Sequence, residues 1–203
     1  CQVCCRFPTP ESNMFPVFMK EEFDRLLPEY HPFFQDPIRP ISKSYHGIGG
    51  QTCACPFFNP ATHECIIYRN RPLDCQLYPF VLTFGPTQKR VFLGLDTQCP
   101  FVQESANHEA LLGFGDYVHT FLEEAEPAEA IVKNPELIGP ADETIFPFYP
   151  LSGLTEKLFQ TTLFGSPPPP SLGLAPLALK DRRLIEKFFS VSRREFSEEA
   201  FSP

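Results

Sequence analysis

Tryptophan is absent from the 203 residues and methionine appears only twice, so any core must be assembled around the 22 phenylalanines. No run approaches the roughly 18 consecutive apolar residues of a membrane span, and none is expected. Positive charge is in short supply: 17 Lys and Arg against 25 Asp and Glu leave a net charge of −8 and a pI near 5.1. Nucleic acid and anionic membrane surfaces need a positive field, so neither is expected as a partner. The chain has no Gly-rich phosphate loop, no H-E-x-x-H and no G-x-S-x-G. Gly47-Ile-Gly-Gly50 is too short, and lacks the strand–helix setting, to bind a dinucleotide. No signal-peptide pattern opens the chain, although a start at Cys1 implies a missing upstream Met or short leader. The expected compartment is the cytoplasm.

Cysteine too is missing from most of the chain: all eight lie between residues 1 and 99. They read Cys1-x-x-Cys4-Cys5, Cys53-x-Cys55, then Cys65, Cys75 and Cys99. Scattered structural thiols do not come at separations of one and two residues. Disulfides are favoured by the even count, yet Cys4–Cys5 and Cys53/Cys55 cannot pair within themselves without strain. The chain is also larger than the small secreted scaffolds that depend on such bridges. Metal ligation fits best, because C-x-x-C and C-x-C spacings place two sulfurs on one side of a tight turn. All eight cysteines are candidate ligands. Successive side chains diverge, which makes Cys4-Cys5 awkward for one tetrahedral ion and easier for a cluster, or for a single ligand of the two. A four-iron, four-sulfide (4Fe-4S) cluster is therefore favoured, with zinc as the alternative.

Around Cys75, Ile66, Ile67 and Tyr68 are β-formers expected to hold Cys65 on a short strand, and Pro72 fixes a turn before the thiol. Four thiolates on a divalent ion leave a charge of about −2, which a guanidinium could offset by donating to sulfur. Arg71 is assigned that role and Arg69 a solvated one. Tyr78 is a candidate to pack over the centre, with a core position as the plainer reading. His63, the one histidine inside the framework, is not needed as a ligand. Asp74, Asp96 and Glu64 are the carboxylates near the thiols that could act as bases.

The segment Cys65-Ile-Ile-Tyr-Arg-Asn-Arg-Pro-Leu-Asp-Cys75-Gln-Leu-Tyr-Pro-Phe80 resembles the YkgJ-like cysteine-cluster family. Its members share C-x-x-C-C near the start and C-x-I-Y-x-x-R-P-x-x-C-x-x-Y-P later. The opening cysteines, Cys53-Ala-Cys55-Pro-Phe-Phe and Asp96-Thr-Gln-Cys99-Pro fall in the same order, so the resemblance covers residues 1 to about 100. It implies a zinc- or iron-chelating domain. Flagellin lysine N-methylase belongs to the same broad group, which implies a methyltransferase-type alternative.

Proline, at 24 residues, exceeds twice its average usage of about 5% and breaks up long elements. The fold expected is α+β: a small, irregular, metal-stabilised domain with short strands and a few helices, rich in loops and proline. A short helix is expected over Phe18–Leu27, ended by Pro28, followed by a long connection through 31–52. A hairpin is expected over 79–84 and 89–96 about Gly85-Pro86. The main helix runs from Glu104 to Ala125 on a stripe of Leu111, Leu112, Phe114, Val118, Phe121 and Leu122, with Pro127 as its stop. Glu123, Glu124 and Glu126 are read as its solvated end. A further helix is expected over 128–133 and an extended segment over Ile145–Tyr149. In domain terms, 1–126 is the cysteine-cluster domain with its C-terminal helix and 127–165 an extension packing on it. Residues 166–176 are a Pro-rich linker. Residues 177–203 are a helix that starts a further domain or docks on the first, faintly similar to the opening of an acyltransferase-type domain. Three functions compete: an accessory or maturation module with a protein partner or downstream domain, a metal-dependent methyltransferase or redox enzyme, and a disulfide-bonded secreted protein.

Overall fold

The computed structural model describes residues 3–9, 12, 14–47, 50–104 and 108–162. Cys1, the Pro-rich linker expected over 166–176 and the helix expected over 177–203 lie outside the described residues. A 3-10 turn over Val3–Cys5 leads into β1 (Arg6–Phe7), and α1 (Lys20–Asp24) follows. The helix is shorter than the expected Phe18–Leu27, ending at Asp24 with Arg25 as its C-cap, and Pro28 instead starts a second 3-10 stretch over Pro28–Phe33. The expected long connection then turns out to contain a strand. β2 (Lys43–Gly47) pairs antiparallel with β3 (Gly50–Ala54), and β1 pairs with the other edge of β3. Next come the two-residue strands β4 (Phe58–Asn59) and β5 (Glu64–Cys65), then α2 (Leu73–Leu77). The strand expected at Cys65 is thus shorter than its β-branched residues suggest, because Tyr68–Asn70 coil into a 3-10 turn.

β6 (Phe80–Phe84) and β7 (Val91–Asp96) form the expected hairpin, closed by the Gly85 N–H donating to Arg90 O at 2.8 Å. The expected single helix from 104 to 125 is instead α3 (Pro100–Glu104) and α4 (His108–Glu123). Its apolar stripe holds, with Leu111, Val118 and Leu122 fully buried. Pro127 stops nothing: it occupies the first turn of α5 (Ala125–Lys133), where a missing N–H removes no helical bond. β8 (Ile145–Pro150) matches the expected extended segment and pairs with β7, and α6 (Ser152–Thr162) follows. Glu123 is not a solvated end, since its Oε2 accepts the Gly153 N–H at 2.8 Å and ties α4 to the start of α6.

Two cores result. The first is aromatic: Phe7, Phe18, Phe34, Phe57 and Phe58 with Leu26 and Ile67, packed inside the first sheet and the segments joining it. Phe57 stands at its centre, with its ring 5.7 to 6.0 Å from those of Phe18, Tyr30, Phe33 and Phe34. The second core lies between the β6–β7–β8 sheet and α4–α6, and includes Phe80, Leu93, Phe148, Leu122, Ile131 and Leu154. Small antiparallel sheets and short helices together make the α+β class. At the irregularity between Leu93 and Gly94, a Cβ on Gly94 would collide with Ile145 Cγ2 and come within 2.9 Å of Thr83 Cγ2. Gly94→Val is therefore expected to destabilise the fold by about 1–3 kcal/mol, read as a lower urea midpoint. An unchanged midpoint would mean that β7 and β8 pack far less closely than the coordinates require.

Candidate metal centre

A cavity of about 630 Å³ lies between the two cores, lined on one side by Phe18, Phe57 and Ile67 and on the other by Leu82, Leu137 and Ile145. Five of the candidate ligands open onto it: Cys4, Cys5, Cys55, Cys65 and Cys75. Each arrives by its own local device. The 3-10 turn at Val3–Cys5 carries the first two, and the Cys55 N–H donates to Cys5 O at 3.0 Å just past the β1–β3 pairing. β4–β5 pairing returns Cys65 directly opposite Phe58. α2 presents Cys75 in its first turn, as the third helical residue, with Pro72 at the position before the helix. All seven described cysteines carry free thiols, which runs against the disulfide alternative.

Cys4 and Cys5 converge, contrary to the expected divergence of neighbours: their Sγ atoms stand 3.9 Å apart, because the tight turn rolls both toward the cavity. A hydrogen bond from Cys5 lowers the Cys4 thiol to about 7, and the same bond, with burial, raises Cys5. Burial pushes Cys55 up to about 12 and raises Cys65 and Cys75 as well. Backbone N–H groups two residues on, at Phe57 and Ile67, donate to Cys55 and Cys65 and offset part of that rise. Amides aimed at sulfur favour the thiolate, the form that ligates metal. Cys55, Cys65 and Cys75, raised by burial, would have to give up their protons to ligate a metal.

Cys53 and Cys99 are placed differently. Cys53 lies within β3, opposite Phe7, and packs half-buried against the aromatic core without lining the cavity. Cys99 is buried in the second core beside Tyr78. Tyr78 lines the cavity and packs on that core, the plainer of its two expected positions, and its hydroxyl donates to Asp96 Oδ2 at 3.0 Å. Arg71 lines the cavity with its guanidinium 4.4 Å from the centre of the Tyr68 ring, and its charge favours the Cys65 thiolate. Arg69 and His63 stand exposed on the rim. Asp74 Oδ2 accepts the Val17 N–H at 3.0 Å, and burial lifts its carboxyl to about 6. One contributor was not anticipated. Lys43 on β2 donates to Pro56 O at 3.0 Å and its charge favours the Cys55 thiolate; only the strand pairing brings it there.

Among the described residues, no three Cys, His, Asp or Glu side chains are gathered on one point as ligands of a single ion would be. The thiols surround the cavity instead. Five thiols from four chain segments, with backbone amides and two cations beside them, thus border one cavity between the two cores. The chain belongs to the CxxCxxCC family, described as a "Putative zinc- or iron-chelating domain", which matches over residues 1–103. It is also similar to an uncharacterized protein of Methanocaldococcus jannaschii, with 32% identity over 83 residues. That match covers 39% of this chain and 42% of the relative's length. No solved structure matches. Among the described residues, no helix is long and apolar enough to cross a membrane.

Proposed function

We propose that the chain holds a 4Fe-4S cluster in this cavity and serves as a cytoplasmic accessory or maturation module for a partner protein or downstream domain. The observation that carries the reading is five thiols from four chain segments around one cavity. A cluster takes one thiolate per iron, so its ligands stand further apart than the roughly 3.8 Å separating sulfurs on one tetrahedral ion with Zn–S of about 2.3 Å. Cys55, Cys65, Cys75 and one of the vicinal pair make four; Cys4 suits the fourth place because its thiol is already the more acidic. Arg71 and Lys43 supply positive charge beside the thiolates, and Tyr78 closes the side toward the second core. When bound, such a cluster supplies one-electron chemistry or a structural staple.

A single zinc ion is the second reading, favoured by one distance: the 3.9 Å between Cys4 and Cys5 sulfurs fits one tetrahedral edge. An enzyme of methyltransferase or redox type is supported by the apolar wall of Leu82, Leu137 and Ile145, which leaves room beside the thiols. Anaerobic purification with iron, sulfide and zinc analysis tests the proposal. Matched iron and sulfide with absorption near ~400 nm is the expected result for a thiolate-ligated cluster. A colourless zinc protein would replace it with the second reading, and a metal-free protein would remove both.

A further inference from the structure

The helix that carries Cys75 is five residues long, too short to hold its own geometry in water. Its first N–H groups have no partner within the helix. One of them is satisfied from far away: the Leu73 N–H donates to Glu22 Oε1 at 2.7 Å. The exchange is returned from the neighbouring residue, where Asp74 Oδ2 accepts the Val17 N–H at 3.0 Å. Glu22 is itself fixed at both ends, since its Oε2 accepts the Met19 N–H at 2.9 Å. Both carboxylates are half-buried. Segment 17–22 and helix α2 thus each lend a carboxylate to the other's backbone.

That exchange matters because of what each partner borders. Met14, Pro16, Val17 and Phe18 form one wall of the cavity, and Cys75 and Asp74 belong to the next. The far end of the Met14–Phe18 wall is anchored separately, by the Phe18 N–H donating to Ile38 O at 2.8 Å. Among the described residues, the two carboxylates join segment 17–22, and with it this wall, to α2 by side-chain hydrogen bonds.

We propose that Glu22 and Asp74 form a reciprocal clamp that holds the 14–18 wall against the Cys75 helix and thereby sets how readily solvent and reagents reach Cys75. Both are positioning residues of the metal site. Their importance for metal rests on the reading that the cavity thiols are the ligands; their effect on access to Cys75 does not.

The test uses the full chain, metal-free and reduced, treated with iodoacetamide, with alkylation of each cysteine followed by peptide mass spectrometry. Cys53, outside the cavity, is the internal reference. Glu22→Ala and Asp74→Ala are each expected to speed Cys75 labelling relative to Cys53 about tenfold, the change in a local opening equilibrium that follows from losing a hydrogen bond to a charged group. Because the clamp acts as a unit, the double variant should add little to either single one. Glu22→Gln and Asp74→Asn keep an acceptor oxygen and should restore labelling to within about threefold of the wild type, in line with retained hydrogen bonds. Unchanged Cys75 labelling in folded alanine variants would overturn the clamp, as would an equal rise at Cys53. Should the alanine variants fail to fold, amide exchange in the wild type decides: Val17 and Leu73 protected together supports the clamp, and exchange at the unprotected rate at either overturns it. Metal analysis of the wild type is read separately, so a chain without metal removes the metal reading while leaving the alkylation result to stand or fall alone.

Discussion

Replacing Cys75 with serine is expected to empty the metal centre, lowering metal per chain at least about tenfold by elemental analysis. A serine hydroxyl at this half-buried position cannot supply the thiolate, and Cys4, Cys55 and Cys65 all face Cys75 closely enough to raise its thiol. Metal bound to the folded chain adds its binding free energy to stability, so a lower melting temperature should accompany the loss, while the two hydrophobic cores keep the metal-free chain folded. Cys53→Ser provides the contrast. That side chain packs on the aromatic core outside the cavity, so the variant should retain its metal. A Cys75→Ser chain with full metal, or a Cys53→Ser chain without it, would undo the assignment of ligands to the cavity.

Phe57→Ala is expected to cost about 3–5 kcal/mol in urea unfolding, the range for deleting a buried aromatic ring. Phe57 is 1% exposed and meets four other aromatic rings, so little can collapse into the space it leaves. It also lines the cavity and follows Cys55 by two residues, so part of the loss should appear as weaker metal retention. Phe57→Leu keeps most of the volume and should cost less than about 1.5 kcal/mol. A cost below about 1 kcal/mol for the alanine variant would mean that the aromatic cluster is not a core at all.

The hairpin about Gly85-Pro86, the buried stripe of α4 and the extended Ile145–Pro150 were all legible, because each follows from local period or turn chemistry. What escaped depends on position in space. Pro127 reads as a stop in isolation and becomes tolerable only because a new helix starts two residues before it. The β2–β3 hairpin hides in a stretch with little apolar alternation, and its existence is what brings Lys43 to Cys55. At the site, motif order identified the cysteine framework and the family. It could not sort the thiols: Cys53-x-Cys55 looks like one tight turn, yet β3 ends at Ala54 and only the second cysteine lines the cavity. Cys4-Cys5 shows the opposite error, since a 3-10 turn brings together two sulfurs that an extended chain would separate. The carboxylate exchange between Glu22 and Asp74 has no sequence signature, because its partners are backbone amides about fifty residues away.

The Cys55 N–H bond to Cys5 O, at the end of the β1–β3 pairing, has a consequence for how metal is captured. Bringing together residues 5 and 55 of a free chain costs loop-closure entropy, which grows only as the logarithm of loop length but is large at the outset. Strand pairing completes that closure before any metal arrives, and β4–β5 pairing does the same for Cys65. Cys75 depends on side-chain tethers to Val17 and Glu22 to hold its short helix in place. Cys75 should accordingly be the cavity thiol whose position is lost most readily when those tethers are weakened.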